Sequence, residues 1–440
     1  MTVRNLAHTP PRGRFSWYSK WSSKVLMSVI LRSHQVRALD VMQKYDVGQI
    51  IVPTGGGKTF IMIQDTLRSL QSNPQTIVVV APRILLAEQL CDEFLQQIDT
   101  KNVHICHVHS GETHHFSSTK SDKIALFNNT VRAAGESCII FTTYHSLNRV
   151  VDSGIAVDCI YFDEAHNATG KHFHTSVFAV VQYAVRRYFF TATPRFAHSH
   201  DRGMNNSAVY GQVICNVRAQ ELIEQGSIVS PTVVPFDVDL QRNRVTAHES
   251  DCDTILGILD DLDDTINHKI VVAVPSSRVL GNMLGKTKLL AGLKERGYDV
   301  LHVTSKFGAY VNDKKVNREV FFNTMTEWGK EDSRKFVVFH YSILSEGINV
   351  PGLTQCVLLR NLDVVEMAQT IGRVIRMNKD DASDIASGKI PAGQCALYRK
   401  KTGIVTVPVF KNYGKQTIER LQRVVDAIFV QGIAPESFVR

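Results

Sequence analysis

Nothing in this 440-residue chain stays apolar long enough to cross a membrane. A run such as Val25–Leu31, broken by Ser28, falls far short of the roughly 18 residues a spanning helix needs. Cysteine is sparse and scattered. The eight residues never form C-x-x-C, which argues against a zinc ribbon or a disulfide scaffold and for reduced thiols in a cytosolic protein. No apolar core with a small-residue cleavage site follows the first charges, so no secretory signal is read. Low-complexity tracts and short-period repeats are lacking too. Acid is missing from residues 1–39, where Arg4, Arg12, Arg14, Lys20, Lys24, Arg32 and Arg37 supply seven of the net +8 charges. The rest of the chain is close to neutral. Such a start suits a basic arm against nucleic acid, a solvated extension or a transit peptide, although Pro10-Pro11 would interrupt the amphipathic helix of the last.

What is present is an ordinary globular composition, 44% hydrophobic and 21% charged, which rules out disorder as the dominant state. Its length allows two or three domains. From residue 49, buried-strand patterns at Gln49–Val52, Thr76–Ala81, Val103–Val108, Cys138–Phe141, Cys159–Phe162 and Tyr188–Phe190 alternate with helical stretches such as Thr59–Leu70 and Leu85–Gln97. That alternation predicts a parallel sheet covered on both faces. The rhythm stops near Ala197–Gly211. After a helix at Ala219–Gln225 and the Ser230-Pro231 break, a second series begins: Val233–Val238, Ile270–Val274, Val300–Val303, Phe336–Phe339, Cys356–Leu359, Cys395–Tyr398 and Ile404–Phe410. A closing helix carries Ile418, Leu421, Val425 and Ile428 on one stripe. The acidic run Asp251–Asp264 reads as the solvated face of the first helix in this second half. The expected fold class is α/β, with two tandem lobes. A basic extension at 1–30 leads to lobe one at 31–215, a linker at 216–231 and lobe two at 232–440.

Pro53-Thr54-Gly55-Gly56-Gly57-Lys58-Thr59 lies between a predicted strand and a predicted helix, the setting a phosphate-binding loop requires. Gly55, Gly56 and Gly57 let backbone N–H groups curl around a β-phosphate. Lys58 would reach the β- and γ-phosphates, and the Thr59 hydroxyl would ligate Mg²⁺. One departure is Val52, where the G-x-x-x-x-G-K-T pattern has its first Gly. Downstream, Asp163-Glu164-Ala165-His166 ends an apolar strand, a position from which Asp163 can hold Mg²⁺ and Glu164 can orient and deprotonate an attacking water.

These two motifs, with Thr191-Ala192-Thr193-Pro194 and Gln369-Thr370-Ile371-Gly372-Arg373-Val374-Ile375-Arg376, stand in the order of superfamily 2 helicases. From about residue 31 to 377 the chain resembles a DExH/DEAD-like member, nearest to restriction-enzyme motor subunits and phage or viral DNA helicases. The resemblance implies two RecA-like lobes, ATP and Mg²⁺ in the cleft between them, and nucleic acid across the top. It also implies that Arg32 and Gln35 contact the adenine end, and that His166, Thr191 and Thr193 couple the lobes. Pro82, Arg83, Ser110, Gly111, Thr142 and Thr143 in lobe one, with Ser276, Ser277 and Arg278 in lobe two, would hold the nucleic-acid backbone. Ser345–Pro351 resembles the element linking ATP to nucleic acid, with Gly347 and Asn349 at the nucleotide. Asn349 replaces the Asp of many members, and Ser342 stands in for a Thr phosphate contact.

Arg373 and Arg376 lie one helical turn apart, so both face the cleft, where guanidinium groups can pair with charge building on the γ-phosphate. Gln369 precedes them by one turn. The histidines from His104 to His115 resemble no zinc module, since His104 and Cys106 point opposite to His107 and His109 on a strand. The expected activity is a nucleic-acid-dependent ATPase that moves along DNA and unwinds it. The alternatives are an ATP-gated clamp without unwinding, supported by the lack of a spare element to separate strands, and an RNA helicase. The expected setting is the cytoplasm of a bacterial or phage-infected cell. The protein would act as a monomer or with replication and recombination proteins, and without a membrane.

Overall fold

The computed structural model describes residues 31–440 apart from His200, Asp264, Ser305, 342–349, Glu436 and Arg440. The strands run β1 (Val47–Ile51), β2 (Thr76–Ala81), β3 (Val103–Val108), β4 (Phe116–Ser117), β5 (Ser137–Thr143), β6 (Cys159–Phe162), β7 (Arg186–Thr191), β8 (Arg195–Phe196) and β9 (Val213–Asn216) in the first half. All but β8 form one parallel sheet in the order β4-β3-β5-β2-β6-β7-β1-β9. Every residue of β2, β5 and β6 is buried, which is why these segments read as continuous apolar runs. Phe162 and Phe189, on neighbouring strands, stack 4.6 Å apart within this core.

The second half adds β10 (Pro231–Val238), β11 (Lys269–Ala273), β12 (Asp299–Thr304), β13 (Gly308–Val311), β14 (Lys314–Val316), β15 (Phe336–His340), β16 (Gln355–Leu358) and β17 (Gly403–Phe410). Their order is β10-β17-β16-β11-β15-β12-β13-β14, parallel except for the antiparallel β12–β13 and β13–β14 pairs. Ile255 and Leu259 of the helix Ala247–Asp260 pack with Leu280, Met283, Val272 and Phe339 on one face of this sheet. The α/β architecture expected from the alternation is present, twice.

Two readings need correction. Cys395–Tyr398 is no strand: Cys395–Leu397 is a 3₁₀ turn, and Tyr398 lies against Gly226. Asp251 is not solvated, since it is fully buried and takes two hydrogen bonds from Arg242 at 2.7 Å each. The second sheet is also extended by the β13–β14 hairpin, which is not among the strands read from the sequence. Within the polar stretch Ala197–Gly211, Val209 and Tyr210 of the short helix Ser207–Tyr210 are buried in the first core.

Residues 32–440 form one unit, and the chain crosses between its sheets more than once. Val229 N–H donates to Ile375 O (2.9 Å). The helix Lys415–Val425 continues into a π-turn, and the tail after it returns to the first half. There β18 (Ser437–Phe438) pairs with β8, and Gln220 Nε2 donates to the carbonyls of Phe429 and Val430.

Candidate active site

Register gathers the chemistry at one edge. Ile51 lies opposite Thr191, and Phe162 opposite Phe189, so the loop after β1, the Asp163-Glu164 turn after β6 and Thr191–Thr193 after β7 emerge side by side. The loop after β1 has Gly55 at φ 90° and Gly57 at φ 81°, and then enters the helix Lys58–Leu70. Those left-handed angles are open to glycine at little cost. From the other half, the helix Val364–Val374 starts with a capping box between Asp363 and Glu366 and delivers Gln369 and Arg373, with Arg376 just beyond its end.

Between these edges lies a cavity of about 400 Å³, lined by Arg32, Thr54, Gly55, Gly57, Lys58 and Thr59, by Asp163 and Glu164, and by Gln369, Arg373 and Arg376. Lys58 Nζ pairs with Glu164 Oε1 at 2.9 Å. Burial pushes the Glu164 carboxyl up, but Lys58, His166 and Arg373 outweigh it and hold the group below its usual range, so it is ionised. Asp163 goes the other way: burial and the neighbouring Glu164 charge push it up. Glu164 adopts a left-handed backbone (φ 46°), a conformation costing a non-glycine residue on the order of 1–3 kcal/mol. Asn167 holds it there, since its backbone N–H and its Nδ2 both donate to Glu164 O (2.9 and 3.0 Å). Tyr144 OH donates to Asp163 O (2.9 Å) from beneath.

The three residues read as coupling the lobes also meet. His166 Nδ1 lies 3.0 Å from Thr191 Oγ1, 3.4 Å from Thr193 Oγ1 and 3.5 Å from Glu164 Oε2. Gln35 is placed less simply. Its Oε1 accepts from Arg32 N–H (3.0 Å), and its amide lies against Gly57, where a Cβ would come within 2.6 Å of Nε2. Among the described residues, Gln369 Nε2 and Glu164 Oε2 are buried without a hydrogen-bond partner, the condition expected of groups shaped for a polar ligand. Three residues read from the sequence, Ser342, Gly347 and Asn349, lie outside the described residues.

The candidate backbone-binding residues cluster at the carboxyl ends of β2, β3 and β5, where Ala81 is opposite Thr143 and Val108 opposite Thr142. Arg83 and Ser110 are exposed there, whereas Pro82, Thr142 and Thr143 are buried, and Thr142 Oγ1 donates to Val108 O (2.9 Å). Gly111 N–H donates to His109 Nδ1 (3.1 Å), so His109 carries its proton on Nε2 and donates to His107 Nδ1 (2.8 Å). Burial pushes His107 down to about 3. His104 pairs instead with Glu136 at 2.6 Å. On the second sheet, Ser276 caps the helix Ser277–Lys286 by accepting from Val279 N–H, and Arg278 is exposed.

Several contributors had no sequence signal. His34 is fully buried, with Nε2 2.8 Å from Gly56 O and Nδ1 2.8 Å from Gln225 Oε1, tying the phosphate loop to the stretch that joins the two sheets. Glu93 and Gln89 line the cavity from the helix Ile84–Leu95. Their spacing is that of any amphipathic helix, so only the tertiary fold reveals them.

Residues 28–196 match the family described as Type III restriction enzyme, res subunit. A search of curated proteins gives no match. Among solved structures, the chain is similar to the ATP-dependent Type ISP restriction-modification enzyme LlaBIII bound to DNA, with 17% identity and a TM-score of 0.67 over 93% of this chain and 31% of that one. It is also similar to a protein described as an HsdR subunit of a type I restriction enzyme from Vibrio vulnificus YJ016 (16% identity, TM-score 0.57, 92% of this chain and 67% of that one). A third is S. cerevisiae Dbp5 bound to RNA and ADP BeF3 (16% identity, TM-score 0.52, 92% and 89%). This chain therefore spans about a third of the first of these. At such identities the likeness is one of fold, two RecA-like lobes. The resemblance to superfamily 2 helicases, with restriction-enzyme motor subunits among them, is borne out.

Proposed function

We propose that this chain is an ATP-dependent helicase or translocase of the superfamily 2 type that acts on DNA, hydrolysing ATP between its lobes as it moves along a strand. One observation carries this reading: Lys58, Asp163 and Glu164 from one lobe and Gln369, Arg373 and Arg376 from the other line the same cavity. The proposed division is an extension at 1–30, lobe one at 31–215, a linker at 216–231 and lobe two at 232–440, in the cytoplasm. Among the described residues no helix is long and apolar enough to cross a membrane.

The cavity suits a nucleoside triphosphate, because glycines line it beside a lysine and it holds a buried amide donor without a partner. Thr59 and Asp163 would hold the Mg²⁺, which supplies positive charge to the phosphates. Lys58 binds the phosphate tail. As the γ-phosphate draws the Lys58 cation, the Glu164 carboxylate is released from its ion pair to orient a water and take its proton. Arg373 and Arg376 then stabilise the charge that grows on the transferred group. These arginines arrive from lobe two, so hydrolysis depends on lobe closure, and His166 with Thr191 and Thr193 relays it to the nucleic-acid face.

ATPase rates with single-stranded, double-stranded and forked DNA and with RNA, each titrated with salt, test the reading. DNA is expected to stimulate turnover more than RNA, with the forked substrate unwound. A rate indifferent to every nucleic acid overturns it.

A further inference from the structure

The second sheet carries a pocket that the ATP site does not use. It measures about 520 Å³ and lies between the helix Ser277–Lys286, His302 of β12 and Tyr310 of β13, toward the β14 edge of the sheet. Two glycines form part of its wall. Gly281 and Gly285 are four residues apart on that helix and so share a face. The Phe307 ring lies over Gly281, where a Cβ would come within 3.2 Å of it, while Gly285 has open space above it. Phe307 is 38% exposed, and its turn is fixed by its own N–H donating to Thr304 Oγ1 (2.9 Å). Opposite, His302 and Tyr310 stack 4.6 Å apart.

At the rim stand two cations. Lys306 sits 5.4 Å from the centre of the Phe307 ring, and Arg278 makes no ion pair or hydrogen bond with the described residues. Lys314 and Lys315 of β14 are exposed along the same edge. Gly281 and Gly285 leave this face of the helix without side chains beside an aromatic ring, which gives room to a planar occupant. Unpaired cations beside it call for an anionic one. A nucleotide of a single strand is both, a planar base joined to phosphates.

We propose that this pocket takes one unstacked base of a bound single strand against Phe307, with Arg278 and Lys306 on the flanking phosphates. The inference rests on the nucleic-acid reading above and adds a base-holding step to it. Base–aromatic stacking of this kind is lost on alanine substitution by roughly five- to a hundredfold in affinity.

The test uses the full chain, a short fluorescein-labelled oligothymidylate, and an abasic strand of the same length, with binding followed by anisotropy at fixed salt. The wild type should prefer the strand with bases. Phe307→Ala should weaken its binding by about tenfold or more and abolish the preference, while Phe307→Trp retains both. Gly285→Leu places a side chain in the open space and favours the helix, so it should block the pocket with the fold and basal ATPase unchanged. Unaltered affinity and preference in Phe307→Ala and Gly285→Leu, or equal wild-type binding of both strands, overturns the pocket alone. Wild-type binding of neither strand overturns the nucleic-acid reading and the pocket with it.

Discussion

Gly372 offers the sharpest test of cross-lobe hydrolysis, because it has no side chain to bind phosphate itself and yet sets where the arginines stand. A Cβ at 372 would lie 2.7 Å from Thr54 Cγ2 and Oγ1, and closer still to Thr54 Cβ. Carbon atoms in ordinary contact stay about 3.5–4.0 Å apart, so Gly372→Ala must push the helix Val364–Val374 off the phosphate loop by roughly 1 Å. That helix carries Gln369 and Arg373, with Arg376 just beyond it. A misplacement of about 1 Å at reacting groups costs on the order of 100-fold in rate. The substitution does not weaken the helix itself, since alanine is favoured over glycine in a helix interior by about 1 kcal/mol. DNA-stimulated turnover should therefore fall by about 100-fold, with ATP affinity nearly unchanged because lobe one supplies most ground-state contacts. Adding Thr54→Gly removes the opposing Cβ and should recover part of the rate. Full stimulated turnover in Gly372→Ala alone would refute the argument that closure places the arginines.

Glu164→Gln should keep nucleotide bound while slowing hydrolysis by roughly 10²–10⁴-fold, since an amide cannot accept the proton of water. Equal losses of binding and rate would make Glu164 a ligand instead. Arg376→Ala should lower stimulated turnover by about 100-fold, within the range for removing a preorganised charge from a transition state. A single-turnover assay that finds hydrolysis undiminished would discard the cross-cleft role. Asp251→Ala leaves the Arg242 guanidinium without its buried partner and should destabilise the second lobe by about 3 kcal/mol. Urea unfolding followed in that lobe checks this, and a midpoint equal to wild type would mean that water replaces the carboxylate.

The strands of the first sheet were legible because parallel strands buried on both faces cannot hide among polar residues. Thr76–Ala81 and Cys159–Phe162 coincide with β2 and β6 at both ends. The phosphate loop and the Asp163-Glu164 turn were legible for a different reason, since their residue types and spacing are tied to local strand–loop–helix geometry. Cys395–Tyr398 misled because its four residues carry no period, and Tyr398 is buried by tertiary packing rather than by a sheet. Asp251 misled in the opposite sense. An acidic run looks solvated whether or not one carboxylate meets an arginine from nine residues upstream. The β13–β14 hairpin was invisible because its turn at Asn312-Asp313 lies between short segments with little apolar alternation. Asn312 there adopts a left-handed φ of 50°.

The glycines of the phosphate loop carry a second meaning that spacing alone does not convey. Room for a phosphate explains why these three positions carry no side chain, but each loop glycine is also pressed from the protein side. A Cβ on Gly55 would lie 2.7 Å from Ile228 Cγ2, and one on Gly57 2.6 Å from Gln35 Nε2. At Gly56 it would meet Val52, the residue that departs from the usual loop pattern, whose side chain is fully buried. His34 reaches the carbonyl of Gly56 as well. The loop is thus gripped by the upstream helix through His34 and Gln35, by the connecting stretch through Ile228, and by the second lobe where Gly372 meets Thr54. Any shift that phosphates impose on this loop is felt at once by the three elements that set lobe geometry. The same closeness lets closure reach back to the loop, so binding and lobe movement are linked through packed contacts rather than through the arginines alone.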